Sequence, residues 1–124
     1  MSTKILFIGD VTGKVGRKMA VEHVPLLKKK YCVDFCIING ENSAGGFGIN
    51  LQNADDLFQC GADVITTGNH VWDRKEIKDL MFTEPRLLRP ANYPESNPGS
   101  GLFVSIGSNP KIVVVNIMGR VFMP

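Results

Sequence analysis

The sequence is short of the residue types that define several large protein classes. Its three cysteines, Cys32, Cys36 and Cys60, are odd in number and include no C-x-x-C pair. That argues against both a disulfide framework and a zinc site. Histidine is scarcer still, with only His23 and His70. Charge of one sign is nearly absent in net terms: the formal balance is +2, too small to argue for a nucleic acid duplex or a membrane surface as partner. The only basic run, Lys28-Lys29-Lys30, falls at the end of a predicted helix, where cations favour the helix dipole and solvent. No apolar run approaches membrane-spanning length, and the unbroken apolar run from Ile5 to Ile8 is shorter than the core of a signal peptide. A reducing, cytoplasmic setting fits these shortages.

What is present fits one globular α/β domain. The 124 residues are 44% hydrophobic and 21% charged, enough for a real core but small for an enzyme with a deep cleft. Three apolar β-type runs end in polar residues: Lys4-Ile5-Leu6-Phe7-Ile8-Gly9-Asp10, then Asp34-Phe35-Cys36-Ile37-Ile38-Asn39-Gly40-Glu41-Asn42, then Ala62-Asp63-Val64-Ile65-Thr66-Thr67-Gly68-Asn69-His70. Between them lie helical patterns. The first has Ala20, Val24, Leu27 and Tyr31 on one face, with Pro25 predicting a kink or break. The second has Asn50 as N-cap, Leu51, Ala54, Leu57 and Phe58 facing inward, and Gly61 closing it in the left-handed conformation. A third is expected from Asp73 and Glu76, spaced as a capping box, with Ile77, Leu80 and Met81 buried. The fold class expected is α/β, a parallel sheet built from βαβ units, followed by a hairpin of residues 102–106 and 111–117.

Parallel strands put their carboxyl ends on one sheet edge, where open α/β sheets hold their sites. The glycines near the first strand do not make a nucleotide fingerprint: Gly9, Gly13 and Gly16 miss G-x-G-x-x-G, and Val15 stands where the P-loop needs Ser or Thr. Gly45, Gly46 and Gly48 around Phe47 read either as a close backbone approach to a ligand or as a flexible loop. Asp10, Glu41, Asn42 and Asn69 are oxygen donors suited to hard or borderline divalent cations. A two-metal hydrolase sets its ions roughly 3.5–4 Å apart, and such a donor set suits that chemistry. Against it, Asp10 and Asn69 have simple readings as turn or helix caps, and Asn39 as a turn former. Glu41 is harder to explain without a cation, because a carboxylate ending an apolar strand is costly to bury unpaired. His23, beside charged neighbours, reads as a surface residue.

Together, Gly9-Asp10, Asn39-Gly40-Glu41-Asn42 and Gly68-Asn69-His70 resemble the metal-binding blocks of calcineurin-like metallophosphoesterases. More narrowly, Phe7-Ile8-Gly9-Asp10-Val11, Ile38-Asn39-Gly40-Glu41-Asn42, Gly68-Asn69-His70-Val71-Trp72-Asp73 and Arg89-Pro90-Ala91-Asn92 resemble the YmdB-like branch of bacterial phosphodiesterases. Thr12 stands where the wider superfamily has a histidine, and Glu41 where it has Asp; the narrower branch is similar to this chain in both respects. The resemblance implies an enzyme hydrolysing small phosphodiesters such as cyclic nucleotides with two divalent metal ions, iron or manganese. It implies Asp10 and Asn42 at the first metal, Glu41 bridging, Asn69 at the second, and His70 facing the phosphate as general acid.

The histidines that complete that family's site in the second half of its domain have no counterpart here. Residues 1–124 are therefore expected to be the N-terminal part of a single metallophosphoesterase domain, half of its α/β sandwich. Such a piece should be inactive alone, with one side of the sheet uncovered and prone to self-association, a homo-oligomer included. A non-catalytic α/β module binding a nucleotide or partner is the alternative. An esterase with a Gly-Asp-Ser block is disfavoured, because Val11 occupies the nucleophile's place.

Overall fold

Alternation along the second apolar run sets the layers of the molecule. The structure, a computed structural model, describes residues 2–123; Met1 and Pro124, the ends of the expected 1–124 unit, lie outside the described residues. Strands β1 (Ile5–Ile8), β2 (Phe35–Asn39) and β3 (Val64–Thr66) form a parallel sheet in that order. Cys36 and Ile38 point to one face and join Ile65 in the main core, against Ala20 and Val24 of helix α1 (Gly13–Tyr31) and Ala54 and Leu57 of helix α2 (Leu51–Cys60). Phe35 and Ile37 point to the other face, where they meet Leu88 and Val114 in a second, smaller cluster. A side-chain period of two along a strand produces this division.

The sheet continues past β3. Leu88 N–H donates to Ile65 O at 2.9 Å and Arg89 N–H to Ser100 O at 3.1 Å, so Leu87-Leu88 runs parallel beside β3 and leads into the hairpin. That hairpin pairs β4 (Leu102–Val104) antiparallel with β5 (Val113–Val115). Its strands are shorter than the 102–106 and 111–117 expected. Ile106 and Ile117, at the ends of the expected strands, are fully or largely exposed and have no sheet to join.

Several local expectations change. Helix α1 passes through Pro25 without a break. The lost hydrogen bond is on the solvent side, where water can replace it, while Val24 beside it is buried and ties the turn to the core. Tyr31 and Leu51, expected inward, are about half exposed at 53% and 47%, because each occupies a terminal position of its helix, beyond the packed turns. Lys28 is not a solvated member of the basic run: its Nζ donates to Gly61 O at 2.8 Å and lies 3.9 Å from Asp63 Oδ2, bridging α1 to the loop that enters β3. Asn50 caps α2 as expected, accepting from Asn53 N–H at 2.8 Å. Gly61 closes that helix at φ +128°, positive but well outside the left-handed helical well.

One side of the sheet is only partly covered. Ile5 pairs with Phe35 and Phe7 with Ile37, so they share the face of the second cluster. They remain 53% and 58% exposed, since the hairpin packs over β2 and β3 and stops short of β1.

Burial separates the three cysteines. Cys36 is fully enclosed and desolvation pushes its thiol up to about 11; Cys60 is raised too, again mainly by burial. Cys32 lies exposed beyond α1. At pH 8 a disulfide-exchange reagent should therefore titrate one thiol quickly in the folded chain and the other two only on adding denaturant. Three fast equivalents would contradict this packing.

Candidate functional site

The parallel register carries the three polar strand ends to one edge. Ile8 pairs with Ile38, and Asn39 with Thr66. The ladder then extends through Val11 N–H to Asn39 O at 3.0 Å and Gly40 N–H to Thr66 O at 3.0 Å. Asp10, Glu41 and Asn69 thus leave neighbouring strands at the same edge, within two or three residues of the last paired positions. Asp10 has φ +39°, an uncommon backbone state that Asp tolerates better than most residues. The turn is held from both sides, as Gly13 N–H donates to Asn42 O at 2.9 Å and the Thr12 hydroxyl to Asp10 O at 3.2 Å. Thr12 precedes α1 without a side-chain capping bond, and the Asp10 carboxylate does not cap the helix either.

That carboxylate instead meets an amide. Asn42 Nδ2 donates to Asp10 Oδ1 at 2.8 Å, which turns Asn42 Oδ1 the other way. Among the described residues, four buried side-chain polar atoms lack a hydrogen-bond partner: Glu41 Oε2, Asn42 Oδ1, Asn53 Oδ1 and Trp72 Nε1. The first two are acceptors on consecutive residues at this edge. An acceptor withdrawn from water with no donor costs about 1–3 kcal/mol, and a cation removes that cost. No three His, Cys, Asp or Glu side chains gather to hold a metal among the described residues. The carboxylates and amide oxygens at this edge are oxygen donors of the kind that suits part of a hard divalent cation's shell.

Gly68 makes room for Glu41, a contact that sequence reasoning missed. A Cβ added at Gly68 would lie 2.0 Å from Glu41 Oε2 and 2.6 Å from its carboxyl carbon. The only signal in the sequence was a glycine between the strand and Asn69. Asn39, whose Oδ1 accepts from Glu41 N–H at 3.4 Å and whose Nδ2 reaches Thr66 Oγ1 at 3.4 Å, shapes the turn as its simple reading suggested. An open cleft of about 580 Å³ is lined by Glu41, Asn69, Asn39 and Thr66 on one side and by residues 115–119 on the other. Asp10, Asn42 and His70 lie outside its lining.

His70 has a partner that the capping-box expectation assigned elsewhere. Its Nδ1 lies 2.8 Å from Asp73 Oδ2. A carboxylate only accepts, so Nδ1 carries the hydrogen. Residues Asn69–Trp72 form a 3-10 turn and Asp73 has right-handed helical backbone (φ −66°), whereas an N-cap is extended. Helix α3 (Ile77–Thr83) starts later, preceded by Glu76 with no side-chain capping bond. His23 is exposed on α1, as expected of a surface residue, and shares the lining of a shallow cavity with Asp10.

The glycine loop is tied down by a set of hydrogen bonds. Ala44 N–H donates to Gly48 O at 2.8 Å, and Arg74 donates to Ala44 O at 2.8 Å and to Phe47 O at 3.3 Å. Arg17 bonds Ser43 O. Gly48, at φ +76°, sits so close that a Cβ would be 3.0 Å from His70 O. Phe47 remains 59% exposed, its ring T-shaped to the His70 imidazole with centroids 5.2 Å apart.

The Arg89-Pro90-Ala91-Asn92 block acts at a distance from the carboxylates. Arg89 is buried and donates to Pro98 O and Pro90 O. Asn92 clamps Met118 through both backbone groups, at 2.8 and 3.1 Å, and so holds the wall of the cleft opposite Glu41.

A family model described as YmdB-like protein matches residues 6–124. The 2',3'-cyclic-nucleotide 2'-phosphodiesterase of Bacillus subtilis (strain 168) is 50% identical over 121 residues, covering 98% of this chain and 46% of that relative. Among solved structures, a phosphatase from Mycoplasma pneumoniae superposes with a TM-score of 0.90 at 35% identity, covering 100% of this chain and 46% of the other. A protein of Thermus thermophilus, titled hypothetical, superposes with a TM-score of 0.88 at 38% identity, covering 96% and 46%. The chain thus spans about half the length of the relatives it matches, and the partial α/β architecture agrees with theirs.

Gly68→Ala should push the Glu41 carboxylate out of place. Manganese affinity should fall by about 10–100-fold, the usual effect of disturbing the support of a ligand, while the far-ultraviolet circular dichroism stays native. Unchanged affinity would remove Glu41 from the donor set.

Proposed function

The chain belongs to the YmdB-like protein family, and from that premise we propose that it forms the N-terminal part of a metal-dependent phosphodiesterase domain acting on small phosphodiesters such as cyclic nucleotides. The observation that carries this reading is the pair of buried, unpartnered acceptors, Glu41 Oε2 and Asn42 Oδ1, at the shared edge of three parallel strands. The substrate class is supported by the name of the Bacillus subtilis relative. In this reading Asp10 and Asn42 would hold one divalent ion, Asn69 a second, and the Glu41 carboxylate would be shared between them. Iron or manganese suits such oxygen donors once imidazoles join them from the remainder of the domain. When bound, the ions supply water activation and neutralise phosphoryl charge.

The chain's own groups do the rest. His70 faces the scissile phosphodiester and gives a proton to the departing oxygen; Asp73, bonded to Nδ1 at 2.8 Å, fixes the ring plane. Gly68 leaves the space in which the Glu41 carboxylate sits. Asn92 steadies the segment facing it. Among the described residues no helix is long and apolar enough to cross a membrane. The free thiols of Cys32, Cys36 and Cys60 support the reducing, cytoplasmic setting of this reading. The bare Ile5 and Phe7 face is open to association, a homo-oligomer included.

In the full-length protein, Glu41→Ala should lose bound metal and activity together, as measured by elemental analysis after dialysis and by hydrolysis of an activated phosphodiester. His70→Ala should keep its metal and lose turnover by about 10²–10⁴-fold, the usual contribution of a general acid. Equal metal loss in the two variants would make His70 a ligand. The 124-residue chain alone should show negligible hydrolysis even with added manganese; sustained turnover abolished by Glu41→Ala would show that these residues suffice.

A further inference from the structure

An aromatic ring that is mostly exposed calls for an explanation when the loop beneath it is tied down. Phe47 is 59% exposed, yet the loop that presents it is held by the hydrogen bonds already described, two of them from the single side chain of Arg74. Gly45, Gly46 and Gly48 all have positive φ, which lets a short loop turn back on itself. Gly48 also seats the loop directly on the His70 backbone. The position of the Phe47 ring is determined to the level of a ring contact, 5.2 Å and 71° from the His70 imidazole.

We propose that Phe47 is a specificity-determining residue: its ring is a platform for a planar base carried next to the phosphoryl group that His70 addresses. The inference rests on the phosphodiesterase reading and deepens it. The Phe47 ring is T-shaped to the His70 imidazole and more than half open to solvent, and an aromatic face accepts any base by stacking without demanding a particular hydrogen-bond pattern. The geometry thus favours nucleotide substrates over phosphodiesters without a planar group, with little discrimination among bases.

The test uses the manganese-loaded full-length protein and two substrates, a nucleoside 2′,3′-cyclic phosphate and the corresponding cyclic phosphate of 1-O-methylribose, which has no base. The native protein should show a KM about 5- to 100-fold lower for the nucleoside substrate, the range expected for one base stacked on an aromatic side chain. Phe47→Ala should bring the ratio of the two KM values close to one, and Phe47→Trp should preserve it. A native ratio near one would overturn the proposal, as would a ratio that survives Phe47→Ala. An equal fall in kcat on both substrates with the KM ratio intact would overturn it too, leaving Phe47 as a support for His70. Hydrolysis of the base-free substrate with no preference for the nucleoside would sink this inference and leave the phosphodiesterase reading standing. Hydrolysis of neither would sink both.

Discussion

The candidate site depends on the hydrogen-bonded register of β1, β2 and β3 continuing past the ends of the strands. Val11 to Asn39 and Gly40 to Thr66 are ordinary backbone bonds at 3.0 Å, but they lock three turns that would otherwise diverge. Asp10, Glu41 and Asn69 lie far apart along the chain and become neighbours only through this pairing. A slip of one residue in β2 would send Glu41 to the other face and exchange Cys36 and Ile38 for Phe35 and Ile37 in the main core. Because the two faces bury different clusters, the core penalises the slip. Packing and chemistry therefore select the same register.

Within that frame, the site is a balance of space and unsatisfied acceptors. Glu41 and Asn42 follow a largely buried strand, and their outward atoms have given up water without gaining a donor. The space for the carboxylate exists only because residue 68 has no side chain. Asp10 is drawn in by an amide hydrogen of Asn42, so the pair is preassembled rather than dependent on a cation to gather it. His70 is organised separately, by Asp73 and by the loop carrying Phe47. The proposed cation donors Asp10, Glu41 and Asn42 and the proposed proton donor His70 are thus held by different contacts, although Asn69 adjoins His70 in the chain.

Much of this was legible in the sequence, for physical reasons. Apolar runs ending in Gly-Asp, Gly-Glu-Asn and Gly-Asn-His mark buried strands with chemistry at one end, and the intervening helical periods imply parallel pairing. The Asn50 cap was legible because it depends on local backbone alone. What failed depended on tertiary partners. Asp73 has the spacing of a capping box, but the competing imidazole three residues earlier takes its carboxylate. Pro25 reads as a breaker until the burial of Ala20 and Val24 is known. Lys28 reads as solvated until Gly61 O is brought to it. The role of Gly68 could not be read at all, since it lies in the room left for a residue 27 positions earlier in the sequence.

A divalent cation is proposed to bind at the carboxyl edge of this sheet, through Asp10, Glu41, Asn42 and Asn69, and not at the acidic pair on α2. Paramagnetic broadening of backbone amide signals during a manganese titration tests it residue by residue. Signals of Asp10, Glu41, Asn42, Gly68 and Asn69 should broaden first and together, while those around Asp55 and Asp56 on the exposed side of α2 persist to higher manganese. Broadening that begins at Asp55 and Asp56, or that touches Asp10 without Glu41 and Gly68, would contradict the site described.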